Sequence, residues 1–293
     1  MGKFRLKLAT QAGEKLAADA GFTAFPINPR KIAEDRNIEV QAKPPEAKGI
    51  SGALIFANDQ VTLIYSTEYD NRGFENFSIA HELGHFFLPG HPDEIMKAGG
   101  THISRANFTE NTSIELEADH FASGLLLPST LTRKFLHNHQ IGLDGIVDLA
   151  ERAETSLTAA AIRAAECNPY PMAIVVSQAE NVSYAFMTDS FKALGKLAWL
   201  KKGTPLPASE TRTFNSDADK VLTAQRAHGE TDLCTWFDGS SRIVLDEEII
   251  GLGNYGYTLT ILSSESLPED PDQEEDEEAE LVEQWTPRFA YKR

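Results

Sequence analysis

The feature that most constrains this 293-residue chain is an H-E-x-x-H sequence at residues 81–85. Apolar residues before it, within 74–80, have the spacing of one buried helical face. A helix that continues through the pattern brings His81 and His85 to one side, one turn apart, where both imidazoles can reach a single ion. Two neutral nitrogen ligands favour zinc, and Glu82 is placed to take a proton from a water molecule at the metal. The pattern therefore predicts a zinc site on a helix.

A catalytic zinc site needs a third protein ligand, and the segment 113–128 predicts the helix that supplies it. An apolar stripe along this segment and a proline at its end are typical of an amphipathic helix. Glu115 and Asp119 are four residues apart and share a face. We predict that Glu115 is the third ligand and that Asp119 accepts the N–H of a ligating histidine and so orients it. Glu117 points elsewhere and is predicted to be a solvated carboxylate, whereas His120 is the alternative ligand.

The two motifs together resemble the ImmA/IrrE family of metallopeptidases. The resemblance is carried by H-E-L-G-H at 81–85 and by E-x-E-A-D-x-F-A-x-x-L-L-x-P at 115–128, and it covers about residues 1–130. Leu127 stands where family members usually carry methionine. The resemblance implies a small zincin-like fold and supports Glu115 as the ligand. It also implies regulatory proteolysis of a helix-turn-helix repressor in stress or prophage control.

Composition and pattern predict an α+β protein built from four segments. Residues 1–130 form the zincin-like metallopeptidase domain, and residues 131–167 form a helical segment that is either helix-turn-helix-like or bridging. Residues 168–264 form a second α+β domain. Longer IrrE-like proteins carry a GAF-like sensor at this place, so the resemblance implies ligand sensing. Residues 265–293 form an acidic tail, which we expect to be disordered through self-repulsion.

The first domain is predicted to begin with two helices and three strands. The predicted ranges are 7–20 and 29–35 for the helices and 38–41, 51–56 and 61–65 for the strands. The last two strands are expected to form a hairpin, and the strand that begins at Ser51 would suit an extended peptide if it lay on the sheet edge. A loop after the metal helix holds His91 and His102, and either is a candidate for stabilising the oxyanion of a tetrahedral intermediate.

The second domain is predicted to consist mainly of strands. The predicted strands are 172–177, 182–187, 232–237, 241–247 and 255–263, with a helix near 217–227. Residues 251–256 match G-x-G-x-x-G by letter. A dinucleotide site needs a helix directly after these glycines, but a strand is predicted there. The glycines are therefore predicted to form a loop, and no nucleotide cofactor is expected.

The net charge of −17 is concentrated at the C-terminal end. Eleven acidic residues and no basic ones lie in residues 265–283, which leaves −6 on the rest of the chain. The helices predicted between 131 and 166 carry four basic and five acidic residues. Direct DNA binding is therefore disfavoured, because phosphate contacts require a basic surface.

The two cysteines are far apart in the sequence and are predicted to be free thiols. The sequence contains neither a signal-peptide core nor a long apolar run, which predicts a cytoplasmic protein with no membrane contact. The hypothesis that joins these observations is a zinc endopeptidase with Zn²⁺ on His81, His85 and Glu115, acting on a regulatory protein. The alternative is a non-hydrolytic, zinc-containing regulator that binds a repressor or DNA.

Overall fold

The computed structural model describes residues 2–43, 49–67, 71–105, 113–139, 142–167, 170–195, 197–238 and 242–264. The predicted acidic tail lies outside the described residues. The chain divides into two compact units, Met1–Asn168 and Pro169–Arg293. Helices and a sheet occur in both, which confirms the predicted α+β class. Among the described residues, no helix combines the length and apolar character that crossing a membrane requires.

The first unit contains eight described helices and four described strands. In chain order they are α1 (Gly2–Asp19), α2 (Pro29–Glu34), β1 (Ile38–Ala42), β2 (Ile50–Ala57), β3 (Gln60–Tyr65), α3 (Arg72–Phe87), α4 (His91–Lys97), β4 (Thr101–Arg105), α5 (Ser113–Leu126), α6 (Ser129–His137), α7 (Leu143–Ala153) and α8 (Leu157–Cys167). The helices predicted at 7–20, 29–35 and 113–128 and the three predicted strands are confirmed within a few residues.

The sheet of this unit has the order β1-β3-β2-β4, with β1 parallel to β3 and the other pairs antiparallel. The predicted hairpin joins β2 to β3, and its turn residues Asn58 and Asp59 have φ angles of 50° and 61°. Asparagine and aspartate tolerate this left-handed conformation and are common in tight hairpins. The condition for peptide pairing on the strand that begins at Ser51 is not met, because β2 pairs on both sides. Among the described strands it is β4 that lies at that edge.

The helices α1 and α5 pack closely because two glycines face the opposite backbone. A Cβ atom on Gly13 would overlap the carbonyl oxygen of Phe121, and one on Gly124 would overlap the carbonyl oxygen of Thr10. Interiors packed to this density leave no space for an added methyl group. The contact fixes the position of α5 in the unit.

Replacing Gly124 by alanine is therefore expected to destabilise the protein. The added methyl group must push α1 and α5 apart, at a cost of about 1–3 kcal/mol in the free energy of unfolding. Denaturant unfolding of the full chain measures this change in the free energy of unfolding. Ser123→Ala, one position earlier on the same helix, is the matched control and should change stability by no more than about 0.5 kcal/mol. Equal stability of the two variants would contradict the close packing.

Helix α8 is attached to the end of α5 and to α1 through Arg163, which is only 5% exposed. Its Nε donates to the carbonyl oxygen of Leu127 at 2.8 Å, and its guanidinium pairs with Glu14 and Glu166. A buried guanidinium needs such partners, because an unpaired charge in the interior costs several kcal/mol. The helices α6, α7 and α8 also contact one another.

The second unit is a five-stranded antiparallel sheet with short helices. Its described elements are β5 (Met172–Gln178), β6 (Asn181–Met187), α9 (Asp189–Lys192), α10 (Glu210–Asn215), α11 (Ala218–Leu222), β7 (Arg226–Asp232), α12 (Leu233–Phe237), β8 (Val244–Gly251) and β9 (Thr258–Ser263). The strand order is β6-β5-β9-β8-β7. Buried side chains against the sheet include Phe191, Leu233 and Phe237.

Two predictions for this unit are wrong. The segment 232–237 is helix α12 and not a strand, and the predicted helix near 217–227 ends at Leu222 before strand β7 begins. The glycine run at 251–256 is confirmed as a connection between strands, because it joins β8 to β9 through a short 3₁₀ turn. Both cysteines are free, as expected, although Cys234 is only partly buried.

Candidate metal centre

The H-E-x-x-H sequence lies in the last two turns of helix α3. The side chain of Asn71 caps this helix by accepting the backbone N–H of Phe74 at 3.0 Å. His81 and His85 are both buried and lie one turn apart, with their Nε2 atoms 3.1 Å from each other. This separation is short enough for both nitrogens to bind one ion.

Helix α5 brings a carboxylate to these two nitrogens. Gly84 permits the approach of α5, since a Cβ atom there would lie 3.0 Å from the Cα atom of Ala118. Glu115 Oε2 lies 3.2 Å from His81 Nε2, and Glu115 Oε1 lies 3.5 Å from His85 Nε2. The residue predicted as the third ligand thus lies beside the other two.

Asp119 lies one turn further along α5, on the opposite side of the His81 ring. Its Oδ1 is 2.9 Å from His81 Nδ1, which fixes the ring and leaves Nε2 directed at Glu115. The alternative ligand His120 lies elsewhere, with its Nδ1 3.3 Å from Thr10 Oγ1 on helix α1. The structure does not bring His120 to the cluster.

Glu82 is fully buried beside the cluster. Ser104 Oγ on β4 donates to Glu82 Oε1 at 2.6 Å, and Gly52 on β2 leaves room for that oxygen, since a Cβ atom there would lie 2.5 Å from it. The other oxygen, Oε2, has no hydrogen-bond partner within the described part of the chain. Burial raises the pKa of the Glu82 carboxyl above its usual range, and the nearby His81 and the Ser104 hydrogen bond only partly oppose that effect.

Two histidines expected in a loop lie instead on regular elements. His102 is on β4, and its Nε2 lies 3.1 Å from Glu115 Oε1. His91 opens α4 and is buried, with its Nδ1 3.2 Å from His85 Nδ1. His81, His85, His102 and Glu115 offer four donor atoms that all lie within 4.8 Å of one another.

The prediction that Glu117 is solvated is wrong. Its side chain is 6% exposed, and Arg5 donates to its Oε2 at 2.9 Å. His91 Nε2 lies 3.4 Å from the same oxygen. Glu117 is therefore connected to His85 by two successive contacts: Glu117 contacts His91, and His91 contacts His85.

The carboxylates of Glu115 and Asp119 make the cluster electrostatically favourable for a cation. Burial by itself would lower the pKa of His81, but the contacts with Asp119 and Glu115 outweigh burial and raise that pKa to about 10. Burial lowers the pKa of His85 to about 3, which keeps its imidazole neutral. The pKa of Glu115 lies well below its usual range, because its hydrogen bonds to His102, His81 and His85 outweigh burial. An ionised carboxylate, a neutral imidazole and a site that attracts positive charge suit a divalent metal.

The donor set fits zinc. Imidazole nitrogens and one carboxylate oxygen are the ligands that catalytic zinc sites use, and zinc accepts them at about 2.0–2.2 Å in a tetrahedral arrangement. The edge of such a tetrahedron is about 3.3 Å. The measured separations between the donors of His81, His85 and Glu115, from 3.1 to 3.5 Å, are close to that value.

Metal binding is expected to release about one proton at pH 8. Without metal, His81 is protonated below its pKa of about 10, and the imidazolium must lose that proton before Nε2 can bind an ion. Affinity should therefore rise with pH, by up to about tenfold per unit between pH 7 and 9. Titration calorimetry in buffers of different ionisation enthalpy measures the released proton. Asp119→Asn should release less, since His81 loses the contact that stabilises its charge, and equal release would contradict this account.

Fold and donor cluster together are those of a zincin-like domain. Residues 33–165 match the family model described as the IrrE N-terminal-like domain, which is a metallopeptidase family. This part of the chain, which contains the whole cluster, is similar to the ImmA/IrrE family.

A search of solved structures finds similarity to a Mycobacterium tuberculosis transcriptional regulator. The TM-score is 0.54 at 14% identity, over 90% of this chain and 82% of that chain. Similarity at this identity shows a shared fold. The search of curated proteins found no match to this chain.

Proposed function

We propose that this chain is a zinc-dependent endopeptidase that cleaves a regulatory protein, in particular a helix-turn-helix repressor in stress or mobile-element control. The observation that carries the proposal is the position of Glu82. It is a buried carboxyl with one oxygen held by Ser104 and the other unpartnered among the described residues, beside a four-donor cluster. A site that served only to hold a metal would have no use for such a carboxyl.

His81, His85 and Glu115 would hold the zinc ion. When bound, zinc would polarise the scissile carbonyl and lower the pKa of a water molecule towards about 7. Asp119 keeps the His81 ring in the orientation that presents Nε2, through the contact at Nδ1.

Glu82 acts as the general base in this proposal. Because Ser104 occupies Oε1, the proton taken from water is held at Oε2, and the same oxygen then delivers it to the leaving amine. The raised pKa of Glu82 makes it a stronger base than an exposed glutamate. Glycine at position 52 leaves the space that Glu82 needs to keep this orientation.

The edge strand β4 is suited to binding an extended peptide substrate. An extended segment can add to a sheet edge through backbone hydrogen bonds. Because β4 carries both His102 and Ser104, a segment paired along this strand would pass beside the cluster. We propose β4, and not the strand that begins at Ser51, as the site of peptide binding.

The experiment that tests this function is incubation of the purified full chain with a panel of helix-turn-helix repressors, followed by gel electrophoresis. Zinc-loaded protein should cut at least one repressor into two fragments, chelated protein should not, and one equivalent of zinc should restore the cut. Cleavage that persists after complete metal removal would contradict the proposal.

A non-hydrolytic regulator is the second candidate function, and the similarity in fold to a protein described as a transcriptional regulator favours it. That function predicts stoichiometric capture of an intact repressor, or DNA binding that falls steeply with salt. Intact repressor that co-elutes with the chain in size-exclusion chromatography, without fragments after long incubation, would support this alternative and overturn the proposed proteolysis.

A further inference from the structure

We propose that His102 is a fourth protein ligand of the metal, so that the site in this conformation is closed and the chain is a latent peptidase. Displacement of His102 when a protein substrate pairs with β4 would then open the position at which that substrate reacts. The inference rests on the proposed function, because it concerns the same metal site, and it adds a mode of regulation to it.

His102 contacts one of the three predicted ligands directly and lies near the other two. Its Nε2 lies 3.1 Å from Glu115 Oε1 and its donor atom is within 4.8 Å of those of His81 and His85, while the separations among the three predicted ligands are 3.1, 3.2 and 3.5 Å. These three separations and that from His102 to Glu115 are close to the tetrahedral edge of about 3.3 Å for zinc. Its ring also lies against that of His85 in a tilted arrangement, with centroids 4.0 Å apart. A residue that only stabilised an oxyanion would have to leave room for the substrate between itself and the metal ligands, and no such gap separates His102 from Glu115.

The strand β4 fixes the direction of this side chain. His102 pairs with the buried Leu54 on β2, and Ser104 pairs with Gly52. Side chains two residues apart on a strand share a face, and Ser104 uses that face to contact Glu82 on α3. His102 therefore points from the sheet to the helix that carries the other histidines.

The cluster is enclosed. The side-chain exposures are 0% for His85, 9% for His81, 14% for Glu115 and 15% for His102. Zinc sites with four protein ligands are structural, whereas catalytic sites have three and keep one position open. With His102 bound there is no open position, so His102 must move before peptide cleavage. The strand that carries it is paired on one side only, with β2, among the described residues.

Cobalt substitution tests this inference without relying on activity. The full chain, His102→Ala, His102→Gln and the control His120→Gln are titrated with Co²⁺ and followed by visible absorption. Wild type and His120→Gln should show the intense bands of a four-coordinate site, unchanged by azide. His102→Ala and His102→Gln should bind Co²⁺ more than about 100-fold more weakly, beyond the range typical of outer contacts, and their spectra should change with azide.

Imidazole adds a second criterion. Added imidazole should restore the wild-type spectrum in His102→Ala, since it can occupy the space of the lost side chain, and should leave wild type unchanged. Circular dichroism of each variant verifies that the fold is retained. If His102→Ala fails to fold, the cobalt affinity and the azide response are taken from His102→Gln, which nearly preserves the side-chain volume.

The outcomes separate this inference from the proposed function. An azide-sensitive spectrum of wild type, with unchanged cobalt affinity in His102→Gln, overturns His102 as a ligand and leaves the three-ligand site intact. Failure of wild type to bind either Co²⁺ or Zn²⁺ overturns the proposed function itself.

Discussion

Glu82→Gln is expected to lower the rate of peptide cleavage by about 10²–10⁴-fold while the protein keeps its metal. Glutamine preserves the side-chain volume, and its amide oxygen can still accept the hydrogen bond from Ser104 that now reaches Glu82 Oε1. It cannot take a proton at the position of Oε2. The substitution removes proton transfer and leaves the donors of His81, His85 and Glu115 in place.

Two measurements on the same preparation check this expectation: cleavage rate with a repressor substrate, and metal per chain by elemental analysis. Glu75→Gln is the matched control, because it makes the same chemical change two turns earlier on α3, away from the cluster. It should cleave at the wild-type rate. Wild-type activity in Glu82→Gln would remove Glu82 from its assigned role, even with metal content unchanged.

Glu115→Gln is expected to weaken metal binding by more than about 100-fold, so that the purified protein carries little zinc. Loss of an outer contact weakens metal binding by about 10–100-fold, and loss of a direct ligand should exceed that range. Glu115 also supplies the negative charge at the centre of the cluster, where its oxygens lie 3.1–3.5 Å from three imidazole nitrogens. A neutral amide keeps the shape but loses that attraction.

Glu117→Gln is the control for this variant, two residues away on the same helix. Glu117 contacts Arg5 and His91 and is not one of the four residues that form the donor cluster, so about one zinc per chain should remain. A lower melting temperature is expected, because the ion pair with Arg5 is lost. If zinc were retained in Glu115→Gln and lost in Glu117→Gln, the metal ligand would be Glu117 and not Glu115.

Local periodicity was sufficient to predict the parts of the site that lie on single helices. His81 and His85 are four residues apart on α3, and Glu115 and Asp119 are four apart on α5, so each pair shares a face whatever surrounds it. The family resemblance predicted that these two helices contribute to one site. Helical periodicity could not predict this, because it relates only residues of the same helix.

Contacts between distant segments account for what the sequence did not predict. Glu117 was expected in solvent because its partner Arg5 lies 112 residues away in the sequence. His102 was assigned to a loop because β4 has only five residues and a single described neighbour, too short a run for a clear alternation. The strand β7 is mostly polar, and pairing with β8 rather than intrinsic propensity makes it a strand.

The pairing of α1 with α5 has a consequence for the order of events during synthesis. Arg5 meets Glu117, and Gly13 meets Phe121, across more than a hundred residues, so this contact forms late and carries a large loop-closure cost. His81 and His85 leave the ribosome before Glu115 does, and α5 reaches its place only by docking on the first helix. The nascent chain therefore carries an incomplete donor set, and the metal centre is assembled only after α5 has been made.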